Sequence, residues 1–206
     1  MNPIVIIDYG AGNLRSVQKA FEHLGHEAVF TDDPAVLKDA AAVVFPGQGA
    51  SSPAMAALES TGMSEAVRRT VASGKPFFGV CLGLQLMLER SEEGDTPGLG
   101  IVPGTVKRLG PGLKVPHMGW NAVDFDTAHP VFDGVPSGSY FYFVHSYYAA
   151  PTDPSWVAGT TDYGVRFASV MARGNMVATQ FHPEKSGEIG LRLYDNFVRH
   201  LVQTSV

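Results

Sequence analysis

A chain of 206 residues, 45% hydrophobic and 17% charged, is long enough to bury one sizeable core and too short for two large ones, so a single domain over residues 1–206 is expected. A formal net charge of −5, with no basic run longer than the doublets Arg68-Arg69 and Lys107-Arg108, argues against nucleic acid or an anionic membrane surface as the main partner. One cysteine forbids an internal disulfide and suits a reducing compartment; with no basic leader ahead of a long apolar core and no stretch of membrane-spanning length, a cytoplasmic protein is expected.

In chain order, residues 4–8 (Ile-Val-Ile-Ile-Asp) read as a strand and Gly10-Ala11-Gly12 as a tight turn. Residues 14–24 read as an amphipathic helix capped by Asn13, and 28–31 as a second strand, a βαβ opening. The Gly-Ala-Gly turn, with Asp32 twenty residues beyond, invites a dinucleotide site. Arg15 stands where the third glycine is needed for close packing of helix on strand, so that reading is set aside. A strand at 41–45 leads into the loop Pro46-Gly47-Gln48-Gly49, then a helical region at 53–73 broken at Gly62, with Gly74 as its stop. Strands alternating with helices predict a parallel sheet, whose ligands bind beyond the carboxyl ends of the strands, where Gly10, Gly47 and Cys81 fall.

Next comes Gly79-Val80-Cys81-Leu82-Gly83, which closes the apolar run at 76–78 and opens another at 84–88: a strand, a tight turn and a helix, with the sole cysteine at the turn. This is the pattern of a nucleophile elbow with sulfur in place of oxygen. Flanking glycines permit the strained turn, and the first helix amides offer N–H donors to a thiolate and to a developing oxyanion. From Gly98 the pattern changes to short strands punctuated by Gly and Pro, at 106–109, 122–125, 140–147, 156–160, 167–171 and 176–181, a mixed or antiparallel half. In Gln180-Phe181-His182-Pro183-Glu184, a strand continued through Pro183 puts His182 and Glu184 on one face, where the carboxylate can orient an imidazole that takes the cysteine proton. A helix at 189–202, with Leu193, Phe197 and Leu201 on one face, ends the chain.

His-x-Glu also occurs in zinc deaminases, but those need a following Pro-Cys-x-x-Cys, and no second cysteine exists. The remaining histidines (His23, His26, His117, His129, His145, His200) are scattered singly, so neither a metal nor another cofactor is expected.

The elbow at 79–83, His182-Pro183-Glu184 and the Pro-Gly-x-Gly loop at 46–49 together resemble a class I, triad-type glutamine amidotransferase domain, over nearly the whole chain. Within that superfamily, residues 8–17 (Asp-Tyr-Gly-Ala-Gly-Asn-Leu-Arg-Ser-Val), 115–121 (Val-Pro-His-Met-Gly-Trp-Asn), 144–148 (Val-His-Ser-Tyr-Tyr) and 180–186 resemble the glutaminase subunits of imidazole glycerol phosphate synthases. Two positions depart from the pattern: Gln48 stands where valine is common, and Thr179 where glycine is common. The resemblance implies a flavodoxin-like α/β fold with a mostly parallel central sheet and a mixed or antiparallel extension. It implies that Cys81 attacks the side-chain amide of glutamine, His182 shuttles protons and Glu184 orients it. Leu82 and the Gly47, Gln48, Gly49 strand would form the oxyanion hole, and Gln85, Ser146 and Tyr147 would contact glutamine. It further implies an ammonia acceptor on another polypeptide, a (β/α)8 cyclase subunit of histidine biosynthesis, docked against Asn13, Trp120, Tyr142, His145 and Lys185. Competing expectations are the glutaminase of another ammonia-using synthase such as pyridoxal phosphate synthase, a free-standing γ-glutamyl hydrolase, or a non-catalytic flavodoxin-like module.

Overall fold

The structure, a computed structural model, describes residues 2–10 and 13–203, so the Ala11-Gly12 part of the expected turn lies outside the described residues. Elements follow in chain order as β1 (Ile4–Ile7), α1 (Leu14–His23), β2 (Ala28–Thr31), β3 (Ala42–Phe45), α2 (Ser51–Ser60), α3 (Met63–Ala72), β4 (Phe77–Val80) and α4 (Leu82–Leu86). The second half contributes β5 (Leu88–Ser91), β6 (Thr96–Pro97), β7 (Val102–Arg108), β8 (His117–Phe125), β9 (Ser139–His145), β10 (Tyr147–Pro151), β11 (Val157–Asp162), β12 (Arg166–Arg173), β13 (Met176–Thr179) and α5 (Gly187–Asn196).

Among the described residues these strands join in one continuous sheet of order β2-β1-β3-β4-β13-β12-β10-β7-β5-β6, with β8 attached through β11 and β9 paired to β8. β1, β2, β3, β4 and β13 run parallel, as the strand and helix alternation predicts; most of the second half is antiparallel. Successive residues of the parallel strands feed opposite faces. Ile4, Ile6, Val44 and Phe78 pack with Val17, Phe21, Leu193 and Phe197 on the α1 and α5 side. Val5, Ile7, Val43 and Phe77 pack with Met55, Leu58 and Val67 on the α2 and α3 side. Each large side chain so buried contributes about 1.5–3 kcal/mol relative to exposure.

Several elements differ from their sequence reading. The helix after the elbow is only five residues long, and Leu88 already belongs to β5, which the sequence reading missed. A largely apolar run such as 84–88, with only Gln85 polar, suits a buried helix and a buried strand equally. The strand expected at 140–147 is two strands, β9 and β10, because the chain bends at Ser146: β9 pairs with β8, while β10 pairs with β7 and β12. The last helix is α-helical only to Asn196 and continues as a π-helical turn, Phe197–Val202. Phe197, Val198, Leu201 and Val202 are all buried along it. Asn13 precedes α1 as expected, but its side chain caps no backbone amide; its Oδ1 accepts from Ser16 Oγ at 2.8 Å.

Candidate active site

The site forms where neighbouring parallel strands release their carboxyl ends. In the β4–β13 register Val80 pairs with Thr179, so the chain leaves one strand at Cys81 beside the place where it leaves the other toward Gln180 and His182. Cys81 N donates to Thr179 O at 2.7 Å, binding the two exits together. Cys81 has φ 54° and ψ −106°, a conformation that costs a side-chain-bearing residue on the order of 1–3 kcal/mol. α4 starts at the next residue, and its first amides have no acceptor within the helix. The turn is tight enough that a Cβ at Gly83 would lie 1.9 Å from Phe45 O.

His182 reaches the cysteine by a different local route from the one its spacing suggests. β13 ends at Thr179 and Pro183–Lys185 form a 3-10 turn, so Glu184 comes under the imidazole by turning rather than by alternation along a strand. The pair still closes: His182 Nδ1 lies 2.8 Å from Glu184 Oε1, with both side chains almost wholly buried. The turn is held from outside by Ser186 Oγ, which donates to His182 O at 2.6 Å and accepts from Tyr142 N at 3.0 Å. On the far side of Glu184, the hydroxyl of the buried Tyr194 donates to Oε2 at 3.5 Å. Burial works against a charged His182, but interaction with Cys81, then with Glu184, outweighs it and raises the imidazole to about 9. His182 Nε2 is buried and has no partner of standard hydrogen-bond geometry, as is common for a catalytic base awaiting substrate. The imidazole is therefore held by a carboxylate at one nitrogen and left open at the other.

Cys81 and His182 open on a cleft of about 420 Å³ lined also by Gln48, Gly49, Leu82, Gln85, Tyr142, His145, Ser146, Tyr147 and Lys185. Gly47 lies just beneath: a Cβ there would stand 2.5 Å from Tyr9 Oη and 2.7 Å from Leu82 Cβ, so the loop approaches the start of α4 only as glycine. Tyr9 Oη is itself buried without a partner. Of the residues the sequence assigned to a partner surface, Tyr142 and Lys185 reach the cleft wall, while Asn13 lies beside Gly47, Glu184 and His182 around a smaller void. Trp120 is 56% exposed and stands over Tyr142 in an edge contact, rings 6.2 Å apart. Met118 and Tyr140, each 60% exposed, extend the same ribbon. His145 is the exception: it is buried, and both ring nitrogens are engaged inside the molecule.

Sequence reading missed what His145 does. Its Nδ1 donates to Tyr147 O at 2.8 Å, so its Nε2 must accept, from His117 Nδ1 at 2.9 Å, and His117 Nε2 in turn accepts from Asn121 Nδ2 at 3.3 Å. Both rings are neutral in this relay. Burial pushes His117 down to about 4, and burial, only partly offset by the hydrogen bond to Tyr147 O, pushes His145 down to about 3. Imidazoles with depressed values contribute stability above the unfolded value of 6.5 and lose it as pH falls, because the unfolded chain takes up those protons first. The thermal midpoint is accordingly expected to drop between pH 6.5 and about 4; calorimetry showing a flat profile over that window would contradict the neutral relay.

No group of His, Cys, Asp and Glu among the described residues is arranged to hold a metal ion, and none of the described helices is long and apolar enough to cross a membrane. Residues 5–201 match the family Glutamine amidotransferase class-I. The chain belongs to that family.

Within it, the chain is 52% identical to the imidazole glycerol phosphate synthase subunit HisH of Aromatoleum aromaticum, over 96% of this chain and 98% of that one. It is 54% identical to the subunit of the same name from Syntrophotalea carbinolica, over 94% and 98%. Among solved structures, PurLQS from Thermotoga maritima matches with a TM-score of 0.77 at 19% identity, over 98% of this chain and 100% of that one. A crystal structure described as glutamine amidotransferase matches with a TM-score of 0.76 at 21% identity, over 97% and 98%. The structural likeness establishes the class-I amidotransferase fold; the close relatives place this amidotransferase with the HisH subunits of histidine biosynthesis.

Proposed function

We propose that this amidotransferase hydrolyses glutamine with Cys81, His182 and Glu184 and delivers the ammonia to a (β/α)8 cyclase subunit. One observation carries the reading: a strained elbow cysteine opens on the same cleft as an imidazole that is carboxylate-bound at Nδ1 and open at Nε2. The sulfur proton passes to His182 Nε2, and the thiolate attacks the amide carbon of glutamine. The resulting oxyanion is met by Leu82 N–H and by an N–H of the Gly47, Gln48, Gly49 loop. Collapse breaks the C–N bond as His182 returns the proton to the leaving ammonia, giving a γ-glutamyl thioester that water hydrolyses to glutamate. Gln85, Ser146 and Tyr147 line the cleft and are the proposed glutamine contacts. Both hydrogens of the Gln85 amide are already engaged, so it is Oε1 that meets a donor on the substrate. The cyclase would use this ammonia to form imidazole glycerol phosphate and aminoimidazole carboxamide ribotide. A cytoplasmic location and one domain over residues 1–206 complete the reading.

The imidazole and the carboxylate that holds it should not be equally costly to remove. His182→Ala deletes proton transfer and is expected to fall to background, whereas Glu184→Gln keeps an oriented ring and retains measurable turnover. The reverse ranking in a glutaminase assay would refute the assignment. The active enzyme needs the imidazolium proton for the leaving ammonia, so turnover is expected to decline as pH rises through about 9.

Docking is proposed on the ribbon of β8 and β9. Met118, Trp120, Tyr140 and Tyr142 share one of its faces, and Tyr142 carries that face to the cleft wall, so a subunit seated there also covers the site where ammonia forms. Lys185 lines the same cleft and Asn13 the smaller void beside Gly47 and Glu184, whereas the buried His145 is assigned no contact with the partner. An exposed Trp paired with a Tyr is the kind of anchor that costs about 2 kcal/mol or more when truncated, so Trp120→Ala should weaken association some thirtyfold. Calorimetric titration against the cyclase giving the parental affinity would rule Trp120 out as an anchor.

A further inference from the structure

We propose that Gln180 is a catalytic residue that holds the negative charge on the Cys81 sulfur, and that Gln85 positions it for this task. The inference rests on Cys81 being the nucleophile. Gln180 is completely buried between β13 and His182. Its Nε2 lies 3.7 Å from Cys81 Sγ, and its Oε1 lies 3.1 Å from Gln85 Nε2.

The direction of this arrangement is forced. The carbonyl of Tyr147 can only accept, so the Gln85 atom 2.8 Å from it is Nε2. The second hydrogen on that nitrogen points at Gln180, which must answer with Oε1. Reversing the Gln180 carboxamide would set two donors against each other and leave its oxygen facing the sulfur of a thiolate. One backbone carbonyl therefore turns the Gln180 N–H toward Cys81. His145 holds the same carbonyl from its other side at 2.8 Å.

A buried carboxamide is costly unless both of its ends are bonded, and at Gln180 Nε2 the sulfur supplies the partner. A thiolate accepts a hydrogen bond more strongly than a thiol, so a fixed N–H favours the charged form. When the proton moves from sulfur to His182, the charge left behind meets a donor that needs no reorganisation. Besides His182 itself, Gln180 reaches the sulfur with a side-chain donor anchored at its other end.

The test is the pH dependence of Cys81 alkylation by iodoacetamide in the full chain, with the modified cysteine located by mass in residues 76–90. In Gln180→Met, which keeps length and volume but has no N–H, the pH of half-maximal alkylation is expected to rise by ~0.5–1 unit. Turnover of glutamine should fall about tenfold with little change in KM, since the donor acts on sulfur rather than on bound substrate. Gln85→Met frees the Gln180 amide to rotate and should move the midpoint the same way by less, with a raised KM in addition. A parental midpoint in folded Gln180→Met overturns the proposal. Should that variant not fold, a parental midpoint in Gln85→Met overturns it equally. Failure of the underlying reading is seen separately: the parent chain would then form no adduct at Cys81 with a glutamine-analogue diazo-ketone.

Discussion

Cys81→Ala is expected to abolish glutamine hydrolysis, with a loss in turnover on the order of 10⁵ or more, because removal of a nucleophile leaves only binding and oxyanion groups to act. The expectation is this large because nothing else near the site can substitute. Cys81 is the only thiol in the chain, and the strain at its φ of 54° is retained at the one residue that the start of α4 and the open nitrogen of His182 both face. A diazo-ketone analogue of glutamine should add once, at residues 76–90, and the same reagent should leave Cys81→Ala unmodified. Full glutaminase activity in that variant would sink the mechanism as a whole, including the roles of His182 and Glu184.

What was legible in the sequence is what local chemistry decides. Glycines at 79 and 83 around a lone cysteine between two apolar runs specify an elbow without reference to the rest of the fold, and β1 to β4 are announced by apolar runs bounded by turn residues. The extent of α4 was not legible, because the packing of Leu88 against β7, rather than any residue in the run, decides where helix becomes strand. Nor was the break at Ser146, since a run of aromatic and β-branched residues carries no mark of which strand each half will pair with. The supporting groups of the site are harder still. Gln85 meets Gln180 across 95 residues and Gln180 meets Cys81 across 99; each looks in sequence like an ordinary polar residue next to a motif. His117 and His145 read as scattered histidines until the β8–β9 register sets them opposite each other. Tyr194 gave no signal beyond its place on the apolar face of a helix. Glu184 reached His182 as expected, but through a turn, so the pairing was right for a reason that local geometry replaces.

Isolated from the proposed cyclase partner, the chain is expected to hydrolyse glutamine slowly and to be accelerated about a hundredfold or more by the complex carrying its nucleotide, since ammonia made without an acceptor is lost. The loop at 46–49 is where such control can act. Gly47 is hemmed in by Tyr9 Oη and Leu82 Cβ, whereas Gly49, at φ +94°, has nothing within 4 Å of where a Cβ would stand. Rotation of the intervening peptides therefore has a fixed end at Gly47 and a free one at Gly49, and Gln48 and Gly49 both line the cleft. With an N–H turned toward the oxyanion, the loop adds a second donor to that of Leu82. With a carbonyl turned inward it removes one, a difference of roughly 3 kcal/mol in the transition state, or around a hundredfold in rate. A nucleotide bound in the cyclase can drive the change only by binding more tightly to the complex whose loop faces the oxyanion. Gly49→Val tests the pivot, because a β-branched side chain is strained at φ +94° and the loop is then confined to other conformations. Stimulation by nucleotide is expected to fall at least tenfold in this variant while the affinity for the cyclase stays within about twofold, Gly49 being on the cleft floor rather than on the β8–β9 ribbon. Equal glutaminase rates for the chain alone, in complex and in complex with nucleotide would remove the switch and restore the free-standing hydrolase as the better account.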